Sequence, residues 1–391
     1  MQEQSRSGRI GALSGIREPV RFPWRAGNRF ELLIDGPAFF TRMLAAITAA
    51  RRYVFLELYL VESGLIAGRF VTTLAAAARR GVAVHVLLDA FGALRLGPDE
   101  RQQLRAAGVR LAFYNPLRWS KRLGNLLRDH RKLLLVDGEV AFVGGAGITD
   151  EFDPEEQPEL RWRETMLAIA GPVVTDWHVL FVRTWTACGL PPPAVAAPDV
   201  AARPGGQSGR VVASERLQRE QVSRSVIVQV RAAQSRVWIA TAYFTPSWKL
   251  RRALLAAARR GLDVRLLVPG RRVDHPLIRY AGRRLYSSML RHGVRIFEYQ
   301  PRFLHAKVVL VDDWCSIGSS NLDRWNLHWN LEANQEVDDR GFAESVATML
   351  QADFALAEEI VWTRWRRRGR WLRLLERLGG AVDAALRRLR H

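Results

Sequence analysis

Two short stretches carry residues able to transfer a phosphoryl group: His130-Arg131-Lys132 and His305-Ala306-Lys307, each followed five residues after its lysine by an aspartate, Asp137 or Asp312. A neutral imidazole can attack phosphorus, a protonated one can supply the proton of a leaving alkoxide, and an ammonium draws the phosphoryl oxygens. One such set cannot serve both ends of a displacement. Two sets brought together across an interface can, with hydroxyl and amide donors from Ser319 and Asn321, and with neither a metal nor a cofactor required. The lysines stand out because 55 of the 59 basic residues are Arg; the four Lys are Lys121, Lys132, Lys249 and Lys307. A chain that writes nearly every positive charge as Arg uses a compact ammonium twice beside a His.

The elements around these stretches repeat as well. AAAARRGVAVHVLLD (75–89), GVRLAFY (108–114) and HRKLLLVDGEVAFVGGAG (130–147) recur in the same order as AAARRGLDVRLLVPG (256–270), GVRIFEY (293–299) and HAKVVLVDDWCSIGSSN (305–321). A period this long is not that of a solenoid; it describes two copies of a whole α/β unit. In each copy an Ala-rich helix ends at Gly and leads into a covered, β-branched strand. The H-x-K segments are expected to open strands, which places His and Lys on one face because alternate side chains share a face. A tight turn, DGE or DDW, then makes a hairpin. The expected organisation is an N-terminal extension (1–21), a first α/β unit (22–188), a Pro- and Gly-rich linker (189–210), a second unit (211–360) and a basic tail (361–391).

Composition bounds the partners. The chain has 391 residues, 48% of them apolar, and a net charge of +20. That suits a globular protein with a polyanionic partner: nucleic acid, an anionic membrane surface or a phosphate-bearing substrate. The two cysteines, Cys188 and Cys315, indicate neither a disulfide framework nor a thiolate metal site. No apolar run is long enough for a membrane span, and no signal peptide is read at the start. His85, His178, His275, His292, His328 and His391 are isolated from other ligand types, so no metal site is expected. In the tail, ten Arg alternate with Trp and Leu against one Glu and one Asp, a mixture suited to the membrane interface. The stretch NPLRWSKRLGNLLRD (115–129) has a similar mixture and reads either as a flank to a lipid entrance or as an ordinary surface loop.

Two copies of H-x-K-x4-D followed by G-S-x-N resemble the phospholipase D superfamily. Longer segments, among them FPWRAGNRFELLIDG, WRETMLAIAGPVV, TAYFTPSWKLRRAL and GSSNLDRWNLHWNLEAN, are similar to bacterial cardiolipin synthases, especially the B type. The resemblance covers most of residues 22–360. It implies an α/β fold of two phospholipase D-like repeats, each a mixed β-sheet flanked by helices, packed as a pseudo-twofold pair. It implies that His130 and His305 face each other with Lys132 and Lys307 on the phosphate. Downstream Glu164 and Glu332 would orient the imidazoles, and Asp137 and Asp312 would complete the signature by closing their turns. By analogy His130 is the nucleophile and His305 the acid. The substrate-binding positions implied are Ser319, Gly144, Gly145 and Gly318. The first copy departs from the pattern: Gly144-Gly145-Ala146-Gly147 stands where the second has Gly318-Ser319-Ser320-Asn321, so Gly147 lacks the amide, and Thr149 or water would have to substitute.

The implied function is phosphatidyl transfer, making cardiolipin from phosphatidylglycerol through a phosphohistidine. The partners implied are anionic phospholipid, with phosphatidylethanolamine as an alternative second lipid, and a membrane surface met by residues 361–391. The place implied is the cytoplasmic face of a bacterial cell membrane, and nucleic acid is not expected. A nuclease-type phosphodiesterase of the same superfamily and a non-catalytic membrane scaffold stay open as alternatives. A duplicated chain can complete its own site, which leaves oligomeric state undetermined.

Overall fold

A computed structural model describes residues 20–215, 220–323, 329–369 and 376. The first half contributes β1 (Arg25–Ile34), β2 (Tyr53–Leu58), β3 (Ala83–Asp89), β4 (Arg110–Tyr114), the short β5 (Arg128–Asp129), β6 (Lys132–Val136), β7 (Val140–Gly144) and β8 (Thr165–Ala170). The second contributes β9 (Gln207–Ser214), β10 (Arg236–Ala240), β11 (Asp263–Pro269), β12 (Arg295–Tyr299), β13 (Val308–Val311), β14 (Trp314–Gly318), β15 (Asn330–Asp338) and β16 (Ala357–Glu359). Their order across the sheet is β16-β12-β11-β10-β13-β14-β15-β9-β1-β8-β7-β6-β2-β3-β4, with β5 pairing β15. Reading outward from the central β9-β1 pair, the two halves run in the same order, as the repeated sequence predicts. The expected pair of mixed sheets is therefore present, joined edge to edge by the antiparallel β1 and β9.

β2 and β3 are parallel and covered, which is why they read as continuous apolar runs rather than alternating ones, and β4 extends the parallel set as a half-buried edge. One core lies on a single face of both half-sheets, under the helices Val174–Ala187 and Arg340–Ala355; it contains Trp177, Phe181 and Trp185 from the first and Phe342, Val346 and Leu350 from the second. Separate cores cover the opposite face of each half. Since the first core draws on both repeats, neither half keeps its own apolar surface buried without the other.

The tight turns after β6 and β13 are held identically. Asp137 and Asp312 adopt left-handed φ of 54° and 50°, a conformation Asp tolerates better than most residues. The Asp137 carboxylate accepts from the backbone N–H groups of Arg51, Arg52 and Tyr53, each at 2.8 Å. Asp312 accepts from those of Gln234, Ser235 and Arg236 at 2.7, 2.9 and 3.0 Å. Each aspartate thus pins a hairpin to the start of the neighbouring antiparallel strand.

Three expectations need adjustment. The H-x-K segments do not begin inside strands: β6 starts at Lys132 and β13 at Val308, so both histidines precede the ladder. The stretch 189–210 is not wholly linker, because β9 begins at Gln207 to complete the central pair. The start of the basic tail packs inward: Trp365 is buried, its ring 5.1 Å from that of Tyr286 and its indole N–H donating to Ser287 Oγ at 2.9 Å. The remaining expectations on residues 370–375 and 377–391, on His328 and His391, and on the extension up to residue 19 lie outside the described residues.

Replacing Asp137 by Ala should lower the unfolding free energy by about 3 kcal/mol, since three backbone donors lose a charged acceptor at once. Urea titration reads this, and a loss below about 1 kcal/mol would mean that water replaces the carboxylate.

Candidate active site

Each histidine hangs from the other half of the chain. The short β5 pairs parallel with β15, setting Leu331 beside Asp129, and the His130 N–H donates to Leu331 O at 2.9 Å. In the mirror arrangement Arg163 bridges Leu304, and the His305 N–H donates to Arg163 O at 2.8 Å. The residue that follows each accepting carbonyl is a glutamate. Glu332 Oε1 lies 3.0 Å from His130 Nδ1, set off the hydrogen-bond axis. Glu164 Oε2 accepts from His305 Nδ1 at 2.6 Å. Both carboxylates are fully buried. The first-half glutamate therefore serves the second-half imidazole and the reverse.

A proton on Nδ1 facing the carboxylate leaves the lone pair of each ring on Nε2. The two lysines use it differently. The Lys307 ammonium donates to the carbonyl of His305 and lies 3.0 Å from Nδ1 and 3.2 Å from Nε2 of its ring. Lys132 donates to the His130 carbonyl at 2.6 Å and sits 5.3 Å from the centre of the Tyr59 ring, leaving the His130 imidazole uncovered. Burial is the main electrostatic influence throughout. It lowers His130 despite Glu332, lowers His305 well below the usual imidazole value with help from Lys307, and brings Lys132 down to about 7. It also lowers Lys307, which Glu164 partly offsets, and raises the Glu164 carboxyl. At pH 7 both imidazoles are thus neutral.

His130, Lys132 and His305 line one cavity of about 780 Å³, along with Gly145, Gly147 and Asn330. Lys307 lies behind His305, buried. Ser319 does not face the cavity; its hydroxyl donates to Glu332 Oε2 and accepts from Ala333 N–H at 3.1 Å, so it acts on His130 through the carboxylate. Gly318 and Gly144 end their hairpins against β15 and β8, where a Cβ would meet Ala333 O at 2.4 Å and Thr165 O at 2.7 Å. Asn321 is buried, and among the described residues neither atom of its amide is hydrogen-bonded. Thr149, considered as a substitute donor, is buried away from the cavity lining with its hydroxyl unbonded.

The missing amide at 147 has a steric reason. A Cβ there would lie 2.6 Å from Leu60 O, and the neighbouring Ile148 N–H donates to that same carbonyl at 2.9 Å. At Gly145 a Cβ would come 2.2 Å from Glu164 Oε2, the oxygen that holds His305. At these two positions the first hairpin has room only for glycine, where the second carries Ser319 and Asn321.

Sequence reasoning missed several lining residues. Tyr59 packs at a tilt beside His130 with ring centres 4.7 Å apart, Trp162 and Phe152 lie 5.2 and 5.6 Å from His305, and Phe303, outside the lining, lies at 5.7 Å. The only signal for Trp162 is its place two residues before Glu164. Arg131, the central residue of the first signature, points away from the cavity: it is buried, donates to Thr184 Oγ1 at 2.8 Å and approaches Glu215 at 3.4 Å. His85 and His178 are core residues, His178 Nδ1 lying 3.0 Å from Tyr53 Oη. His275, by contrast, lines the cavity. Residues 115–129 fold as a 3-10 turn at Trp119–Leu126, and Asn125 and Leu126 do flank the cavity. Among the described residues no group of acidic, His and Cys side chains could hold a metal ion.

A pair of imidazoles in one cavity, each with a buried carboxylate and a lysine, defines a phosphodiester-transfer site of the phospholipase D kind. Comparison with known proteins agrees. Residues 43–176 and 226–354 match the family model described as "Cardiolipin synthase, PLD-like domain". Cardiolipin synthase A of Pseudomonas aeruginosa is 36% identical over 98% of this chain and 78% of its own length. Its counterpart in Pseudomonas putida is 38% identical over 89% and 73%. These relatives carry the A designation, where the sequence motifs suggested the B type. Among solved structures, a phosphatidylserine synthase from Haemophilus influenzae superposes with a TM-score of 0.72 at 14% identity, covering 91% of this chain and 93% of that one. A polyphosphate kinase from Porphyromonas gingivalis gives 0.56 at 16%, covering 85% and 50%. At such identities the two structures speak for the fold alone. The chain belongs to the cardiolipin synthase family of phospholipase D-like proteins, and it is a phospholipase D-type phosphatidyltransferase with cardiolipin synthase-like function.

Two outcomes follow from this geometry. Gly147→Asn should lower thermal stability by about 1–3 kcal/mol, through overpacking against Leu60, and should not raise turnover; calorimetry and product assay together check it. The pH profile of kcat/KM should fall as pH rises through about 7, where Lys132 loses its charge. Its acid limb should lie below the ordinary imidazole value of about 6.5, because burial keeps both rings neutral to lower pH. An alkaline limb appearing only above about pH 9 would show that Lys132 holds its proton as a solvated lysine does.

Proposed function

We propose that the enzyme makes cardiolipin from two phosphatidylglycerol molecules through a phosphohistidine, with His130 as nucleophile and His305 as acid and then base. The observation that carries this reading is the meeting of two imidazoles from different halves in one cavity, each backed by a buried carboxylate of the opposite half. In the first step His130 Nε2 attacks phosphorus and the bond from phosphorus to the glycerol oxygen breaks. The departing oxygen takes a proton from His305, and glycerol leaves. In the second step a hydroxyl of another phosphatidylglycerol gives its proton to His305 while its oxygen attacks phosphorus and the P–N bond breaks. Two phosphatidylglycerols thus yield one cardiolipin and one glycerol.

The division of roles is supported by the lysines. No cation is hydrogen-bonded to the His130 ring among the described residues, so its lone pair is available. His305 Nε2 faces the Lys307 ammonium at 3.2 Å, and burial has weakened that ammonium's hold on its proton. Lys307 can therefore supply the proton that neutral His305 needs to act as an acid. Glu164 fixes the tautomer of His305, Glu332 faces Nδ1 of His130, and Lys132, which lines the cavity, receives the phosphoryl charge.

Membrane contact at the cytoplasmic face belongs to the same proposal. No helix among the described residues is long and apolar enough to cross a membrane. The cavity mouth instead carries exposed Phe91, Leu94 and Leu277, and the adjacent turn presents Trp119 fully to solvent. With a net charge of +20, such a collar suits the head-group region of an anionic bilayer.

Purified protein given labelled phosphatidylglycerol in vesicles should release cardiolipin and glycerol in equal amounts. His130→Ala and His305→Ala should each reduce this by at least about 10³-fold. Vesicle-bound protein that releases neither glycerol nor phosphatidic acid would overturn the reading.

A further inference from the structure

The two halves repeat in fold but not in what they present to the cavity. The loop after β3 supplies Phe91, Leu94 and Arg95 to the lining. Its counterpart after β11 supplies Asp274, His275 and Leu277, placed at the carboxyl end of a parallel strand where α/β sheets hold ligands. On the first side Arg95 meets Glu62, which also lines the cavity, at 3.3 Å, while the second side adds the carboxylate of Asp274. Asp274 is oriented by Tyr243, whose hydroxyl donates to Oδ2, and His275 Nε2 lies 3.8 Å from the same oxygen. Oδ1 has no hydrogen-bond partner among the described residues, and the Asp274 side chain keeps 23% of its surface exposed. Asp323, buried, lines the same wall.

A wall of this charge repels a phosphodiester and attracts groups that donate hydrogen bonds. It shares that cavity with both imidazoles. In a double displacement through His130, leaving and entering alcohols both meet phosphorus opposite that ring, on the side of His305. Asp274 is within electrostatic reach of His305 and Lys307, favouring the charged form of each. The chief charged neighbours of His130 are instead Glu332, Lys132 and Lys307.

We propose that Tyr243, Asp274 and Asp323 form the alcohol subsite, in which Asp274 accepts a hydrogen bond from the glycerol-head hydroxyl beside the one that attacks phosphorus. This inference rests on the cardiolipin reading and names the part of the site that selects the acceptor. Asp274 takes no proton in the reaction; the attacking hydroxyl's proton goes to His305. A vicinal diol is thereby favoured over an alcohol with a single hydroxyl, and over water.

The test is a partition experiment with the full chain, phosphatidylglycerol vesicles and a fixed concentration of ethanol. Cardiolipin, phosphatidylethanol and phosphatidic acid all arise from one phosphohistidine, so their ratios do not depend on how fast it forms. Asp274→Asn should lower the ratio of cardiolipin to phosphatidylethanol about tenfold, the effect of losing one hydrogen bond to a charged acceptor, and Asp274→Glu should restore part of it. Tyr243→Phe, which frees the carboxylate without removing it, should shift the ratio in the same direction by less. Ratios unchanged while all products fall together would overturn the subsite and leave Asp274 as an electrostatic partner of His305 and Lys307. The same result would follow if the ratio moved only when phosphatidylethanolamine was added, since the wall would then select an ammonium. Wild-type protein that releases no glycerol defeats the cardiolipin reading itself, an outcome distinct from either of these.

Discussion

Each catalytic-type imidazole is held by the half of the chain that does not contain it. Main chain and side chain act together: the His N–H is bonded to a carbonyl of the opposite repeat, and the next residue there is the glutamate facing Nδ1. A buried carboxylate is costly to desolvate and is tolerated where a donor meets it. The crossed pairs satisfy that requirement only when the halves are docked. The site and the interface between repeats are therefore one construction, and the shared apolar core beneath the helices Val174–Ala187 and Arg340–Ala355 enforces it.

Duplication also explains how identical signatures come to do different work. Twofold symmetry alone would give each histidine the same surroundings. The symmetry is broken close to the rings: Lys307 covers the His305 imidazole while Lys132 turns to the His130 carbonyl and Tyr59. It is broken again at the hairpin ends, where Gly145 faces Glu164 and Ser319 bonds Glu332. Three aromatic rings enclose His305, whereas Tyr59 lies against His130. Attack and protonation need chemically unlike partners, and these local differences supply them.

Much of this was legible beforehand because it is written in local sequence. The repeated order of helix, strand and hairpin exposed the two units, and the H-x-K spacing with its following Asp marked both halves of the site. The turn role of Asp137 and Asp312 was implied by the resemblance of the signature to the phospholipase D pattern. What local pattern misjudged were boundaries and distant neighbours. His130 and His305 precede their strands because cross-repeat hydrogen bonds, invisible in a local window, hold them. Trp365 looked interfacial from its Arg-rich setting, yet packs on Tyr286, because its burial depends on a helix some eighty residues away.

The sequence by itself determined the fold class, the duplication and the residue types that carry the chemistry, since these follow from periodicity and from the functional groups present. Tertiary structure alone decided which glutamate serves which histidine, why residue 147 must be glycine, and that Tyr59, Trp162, Asp274 and His275 share the cavity. Those facts depend on distances between segments far apart along the chain, and spacing within a segment holds no record of them.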